Sequence, residues 1–167
     1  FFRVNLAINS PDSVYLATVD AMLSEKKRDP RFFYTHRFIY FSILNDYPKA
    51  LEQLEKLHEY TGTTAIEISQ LGMISALAGK YKEAFKYSKE LKELAPESTI
   101  PEMQNLLTFY LMGDSVNFFG QMKTLRKEQA LSPDELWLEL SNQYRVVNDP
   151  EFDNMASWVL DEETLAN

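Results

Sequence analysis

The chain offers few residues for chemistry. It has two histidines, His36 and His58, and no cysteine. A catalytic or metal centre needs a base, a nucleophile or several ligands held at bonding distance in one pocket. The two histidines fall on different predicted helices of one sequence unit, with no ligand-like spacing between them. His36 lies where it could touch a partner, and His58 sits in the last turn of a helix, where a partly charged imidazole is favoured. Glycine-rich phosphate loops, Gly-x-Ser-x-Gly elbows and His-Glu-x-x-His pairs do not occur. Acidic pairs such as Glu52/Glu55, Glu90/Glu93 and Asp134/Glu135 fall at predicted exposed helix positions, often near lysines, as solvated faces do. The expectation is a non-catalytic chain with no cofactor and no metal.

The elements that carry these residues repeat. Arg31–Thr64, Ala65–Ser98, Thr99–Ser132 and Pro133–Ala166 align without a gap at a period of 34 residues. One column reads Ala50, Ala84, Phe118, Phe152, and another reads Leu57, Leu91, Leu125, Val159; one period earlier stand Leu16 and Leu23. Such a period marks stacked supersecondary units, each too small to bury its apolar face alone. Apolar residues recur at helical spacing, and turn signals fall at one phase: Ser10-Pro11-Asp12, Asn45-Asp46, Gly79-Lys80, Gly113-Asp114 and Asn148-Asp149. The pattern predicts helices over 12–28, 31–44, 47–60, 64–78, 81–95, 100–112, 115–130, 133–147 and 150–161, after a remnant at 1–9. The prediction is one array over 1–167, with 1–30 a partial repeat.

Composition excludes several partners. The net charge is −8 over 167 residues, which opposes a phosphate backbone, so no nucleic acid is expected. The one basic run, Lys26-Lys27-Arg28, falls where a helix should end and complements its dipole. No apolar run approaches the ~18–20 residues that span a bilayer, so direct membrane insertion is not expected. The absence of cysteine is compatible with cytoplasm and periplasm alike. Because the chain opens on Phe1-Phe2 and no extra polar capping helix follows Asp161-Glu162-Glu163, it is expected to be a piece of a longer protein, or to pair with other copies through its ends.

The unit from Ala65 to Pro96 resembles the tetratricopeptide repeat, or TPR, family. Leu71-Gly72 match that family's Leu-Gly pair, Gly79 to Ala84 match its turn and the small residue opening the second helix, and Pro96 matches its terminal proline. Asn45 to Ala50 keeps the turn, the tyrosine and the alanine, while Phe118 and Phe152 stand where alanine is expected. The resemblance implies an all-α, right-handed superhelix of antiparallel helix pairs, in which Gly72 and Ala84 let helices approach closely and Tyr81 wedges between units. It implies a concave groove lined by the first helix of each unit. Carried over by position, that groove comprises Phe32, Thr35, Ile39, Ser42 and Ile43; Ile66, Ser69, Met73, Ala76 and Leu77; Ile100, Met103, Leu107, Tyr110 and Leu111; and Asp134, Trp137, Ser141, Tyr144 and Arg145.

Family members that hold acidic C-terminal tails use a clamp of cations on those helices. The matching residues here are Thr35, Ile39, Gln70, Ile100 and Gln104, so that role is set aside. The expected face is a largely apolar groove for a peptide or an amphipathic helix, with Phe32, His36, Ile39, Met73, Met103, Leu107, Tyr110, Trp137, Tyr144 and Arg145 as its contacts. Ile39, Ile43, Leu77 and Leu111 could equally pack between helices, and Trp137 could equally be core. The function this implies is a protein-interaction scaffold. An alternative is a structural spacer or oligomerisation array positioning attached domains in a secretion or export system. A third reading is an arm that guides a sugar or anionic polymer, the anionic form being disfavoured by the charge.

Overall fold

A computed structural model of the chain describes residues 14–15, 17–19, 21, 29–143 and 150–160, which are helical apart from short connections and contain no strand. The helix remnant expected over 1–9, the run Lys26–Arg28, the turns at 10–12 and 148–149 and the acidic 161–163 lie outside the described residues. The helices with described bounds are α1 (Pro30–Ile43), α2 (Tyr47–Thr61), α3 (Ala65–Leu77), α4 (Tyr81–Leu94), α5 (Ile100–Met112), α6 (Ser115–Gln129), α7 (Pro133–Gln143) and α8 (Pro150–Val159). They match the helical segments expected from periodicity to within a residue or a few. The chain divides into two compact units, Phe1–Thr63 and Thr64–Asn167.

In the first unit α1 packs against α2. Asp29 caps α1 by accepting from the Arg31 N–H, and Pro30 opens the helix, where a missing N–H costs nothing. Along α2 the apolar residues Tyr47, Ala50, Leu51, Leu54 and Leu57 follow helical spacing and are all buried. A further helical segment supplies Tyr15 and Val19, which join Phe33 and Tyr40 in a core cluster flanked by Phe32 and Phe41. The Tyr15 and Tyr40 rings stack at 4.6 Å, and the Tyr15 hydroxyl donates to the His36 carbonyl at 2.9 Å. That bond satisfies the one polar atom of a fully buried ring.

In the second unit α3 pairs with α4, and α5 packs on both. Ala84 and Ser88 keep the buried side of α4 thin enough for this close approach. The Ser88 hydroxyl donates to the Pro101 carbonyl at 2.9 Å, tying α4 to the start of α5. Tyr81, at the head of α4, donates from its hydroxyl to the Leu111 carbonyl at 3.1 Å. That carbonyl lies in the last turn of α5, where no intrahelical donor is available. α6 pairs with α5, and α8 pairs with α7. Met103, Leu106, Leu107, Phe118, Met122, Leu125, Leu136, Leu140, Met155 and Val159 form one buried cluster. Each such side chain contributes on the order of 1.5–3 kcal/mol by leaving water.

The turn inside each helix pair keeps the period. Asn45, Gly79 and Gly113 all have positive φ (56°, 75° and 70°), and each is followed by an N–H that reaches back five residues: Asp46 to Phe41, Lys80 to Ser75, Asp114 to Phe109, at 2.8–2.9 Å. This is a Schellman cap used three times over; asparagine and glycine are the residues that reach the left-handed region at least cost. Asp46 and Asp114 then accept from Lys49 and Asn117 N–H groups to start the next helix.

The connections between pairs do not keep it. α3 is capped by Thr64 in a reciprocal box with Glu67, and α7 opens with the same box made by Ser132 and Glu135. A strict period would put the intervening cap at Ser98, yet α5 is preceded by Thr99. α5 therefore opens one residue late, while its closing turn stays on the period. Counted from the first residue of each helix, Ile68, Leu71 and Gly72 of α3 stand where Met103, Leu106 and Leu107 stand in α5, all buried. Ser69 corresponds to Gln104, and these two meet side by side: Gln104 Nε2 donates to the Ser69 carbonyl at 2.6 Å and to its Oγ at 3.0 Å.

Candidate functional site

The residues expected to form a groove divide between the two units. In the first, Phe32, His36 and Ile39 are half-buried on α1. Phe32 meets Phe33 edge-on at 5.7 Å, and the His36 ring at 4.2 Å, so this end of α1 is an aromatic shelf resting on the core. Ile43 closes α1 with 49% of its surface exposed. His58 stands in the last turn of α2, as its position implied.

In the second unit Met73 and Leu77 on α3 are half-buried against the core, and Ile66 at the head of α3 is 72% exposed. Met103 and Leu107, expected on the groove, are instead buried: with relative exposures of 0% and 1% they are beyond a partner's reach. α5 is packed by α3, α4 and α6 together, and both side chains join the core cluster that also holds Leu136 and Leu140 of α7. At Gly72 the tightest neighbour is on α5: a Cβ there would meet Gln104 Oε1 at 2.7 Å, so the missing side chain makes room for that residue.

Tyr110 is half-buried, and its surroundings were not foreseen. Its ring meets Trp158 edge-on at 5.0 Å, and Trp158 also contacts Phe118 at 5.2 Å and stacks on Phe119 at 5.8 Å. Trp158 of α8 thus closes an aromatic cluster made by α5 and α6. Phe118 gave a signal for it in the sequence: it stands where a small residue is expected, and the bulk at that position finds an aromatic partner. Trp137 is half-buried and packs on the same core. Tyr144 and Arg145 lie outside the described residues.

Several carboxylates are held by neighbouring side chains or backbone. Asp29, Asp46, Glu52, Asp114 and Glu135 are each held below the usual carboxylate range, by side-chain bonds from Arg31, Lys49, Lys56 and Asn117 for the first four and by the Ser132 N–H for Glu135. Four of these acids sit at or beside helix N-termini, where negative charge is favoured. Among the described residues no group of three or more His, Cys, Asp or Glu side chains is placed to hold a metal ion. No helix among them is long and apolar enough to cross a membrane.

What remains is a set of surfaces on first helices: the aromatic shelf of α1, the Ile66–Met73–Leu77 row of α3, and the Trp137–Leu138 side of α7, where Leu138 is 60% exposed. These are apolar patches of a kind that another apolar surface can cover. Compared with known proteins, the chain matches no family model and no curated sequence.

Proposed function

We propose that this chain is a TPR-like helical repeat array that acts as a non-catalytic protein-interaction scaffold. It presents the apolar residues of its first helices to a peptide or helix of another protein. The observation that carries the reading is the neighbour relation of α3 and α5. Equivalent residues, Ser69 and Gln104, touch, while α4 lies against both helices. That is how a helix pair repeats by translation, and such repetition makes extended surfaces in place of enclosed cavities. Ile66 supports it further, because a largely exposed isoleucine on such a helix serves no internal packing.

The test uses the full chain. Light scattering first measures whether it self-associates; a concentration-independent monomer is expected. Affinity capture from an extract of the source cells then compares the parent with Ile66→Asp and Val116→Asp. Both parent side chains are exposed, at 72% and 81%, so neither change disturbs the core. A scaffold that uses its first helices loses a partner with Ile66→Asp and keeps it with Val116→Asp on α6. Recovery of every partner by both variants removes the reading. Self-association lost in Ile66→Asp would favour the oligomerisation array instead.

A further inference from the structure

We propose that α7 docks a cationic amphipathic segment of a partner protein, one whose apolar side chains meet Leu138 and Trp137 while its Lys and Arg meet the carboxylates around them; this rests on the interaction-scaffold reading above. In the described helices of the second unit the lysines and arginines keep to one layer, while acids occur in both. The first helices α3, α5 and α7 carry Glu67, Glu102, Asp134, Glu135 and Glu139 and no lysine or arginine. The cations sit on α4 and α6, as Lys82, Lys86, Lys89 and Lys92, and as Lys123, Arg126 and Lys127.

On α3 and α5 the acids are already engaged. Glu67 accepts from the Thr64 N–H and hydroxyl, and Glu102 pairs with Lys92 at 2.9 Å. On α7 Glu135 is likewise engaged by the Ser132 N–H and hydroxyl, while Asp134 lies one turn before Leu138, with Ser141 and Asn142 one turn after it, and Glu139 is the next residue. Asp134, Glu135, Leu138, Glu139 and Asn142 are all exposed, and Trp137 is half-buried beside them. Arg126, the cation bonded nearest the start of α7, gives its Nε to the Leu131 carbonyl at 3.2 Å.

A lone exposed leucine is ordinary. A leucine and a tryptophan flanked by Asp134 and Glu139, on a helix whose described residues include no cation, are complementary to one kind of surface. An acidic partner meets like charge there, and an uncharged one leaves the carboxylates unused. Lysine or arginine supplies donors to the carboxylates and can lie over the indole face.

The experiment measures binding of two labelled synthetic helical peptides to the full chain by fluorescence anisotropy. One has leucines on one face and lysines on the other, and the second has glutamate for every lysine. The Leu/Lys peptide is expected to bind, and to bind more weakly as salt shortens the Debye length. Asp134→Asn with Glu139→Gln weakens it by about five-fold, in line with exposed ion pairs. Glu83→Gln with Glu93→Gln, which changes net charge equally on α4, leaves it unchanged. Equal loss in both charge variants overturns the proposal, because net charge alone is then being sensed. Equal binding of the two peptides overturns the charge preference yet leaves the scaffold reading standing. Binding of neither peptide overturns the docking site, while the scaffold reading is judged by the Ile66→Asp comparison.

Discussion

Replacing Gly72 with alanine will destabilise the chain, although alanine is the better helix former, and the sign will reverse once Gln104 is shortened. Helix propensity alone favours alanine in mid-helix by roughly 0.8–1.0 kcal/mol. Against this, the new Cβ lands 2.7 Å from Gln104 Oε1 and 3.2 Å from its Cδ. Gln104 has little room to move aside: it is 3% exposed and held by two bonds to Ser69. Displacing it forfeits two neutral hydrogen bonds at about 1 kcal/mol each, and leaving its amide unpaired adds on the order of 1 kcal/mol more. The net loss is about 2 kcal/mol, or roughly 4–8 °C in Tm for a chain of this size. In a Gln104→Ala background the obstacle is gone, and Gly72→Ala gains about 1 kcal/mol. The coupling between the two sites is therefore about 3 kcal/mol, measurable by urea unfolding of the four species followed by circular dichroism. If Gly72→Ala stabilises the parent as much as it stabilises Gln104→Ala, the close approach of α3 and α5 at this point is refuted.

Three further outcomes follow from single contacts. Tyr81→Phe removes the donor to the Leu111 carbonyl and is expected to lower stability by about 1 kcal/mol in the same unfolding assay; no loss would mean the bond is not made. Asp114 and Glu135 are held below their ordinary 3.8 and 4.5, so their stabilisation is complete above those values and is lost as pH falls through the lower folded-state values. Asp114→Asn and Glu135→Gln should flatten the acid limb of a stability–pH curve, and an unchanged limb would contradict the capping roles. Tyr15 is pushed from 10.0 up to about 12 by burial and by the neighbouring Tyr40. Its contribution is full below pH ~10 and declines as pH rises from there through the folded value. Tyr15→Phe should remove that alkaline loss, and ultraviolet titration should show one late tyrosine fewer.

Much of the fold was legible because its determinants are local. The turns at Asn45, Gly79 and Gly113 need a left-handed residue, and only a few residue types reach that region cheaply, so these turns stand out by type and spacing. Tyr81 and Ala84 were readable for a similar reason, since each fills a position whose neighbours recur. Of the candidate contacts, Met73 and Trp137 are half-buried against the core. The reading went astray where it carried groove positions over to a helix covered on several sides. Met103 and Leu107 are buried because α5 is flanked by α3, α4 and α6, and no local pattern marks those neighbours. Trp158 was missed for a different reason: its partners Tyr110, Phe118 and Phe119 are distant in sequence, and nothing local marks a ring that closes a cluster on another pair.

By itself the order of residues determined that the chain is helical, where its helices begin and end, and which side of most of them is apolar. Backbone geometry and the period of about 3.6 residues per turn act over a few positions, and those positions are visible in any stretch of sequence. Tertiary structure alone decided which neighbours cover α5, and with it which apolar side chains are core and which stay at the surface. Burial is set by packing α5 against α3, α4 and α6 together, and those neighbours are distant along the chain from the side chains they cover.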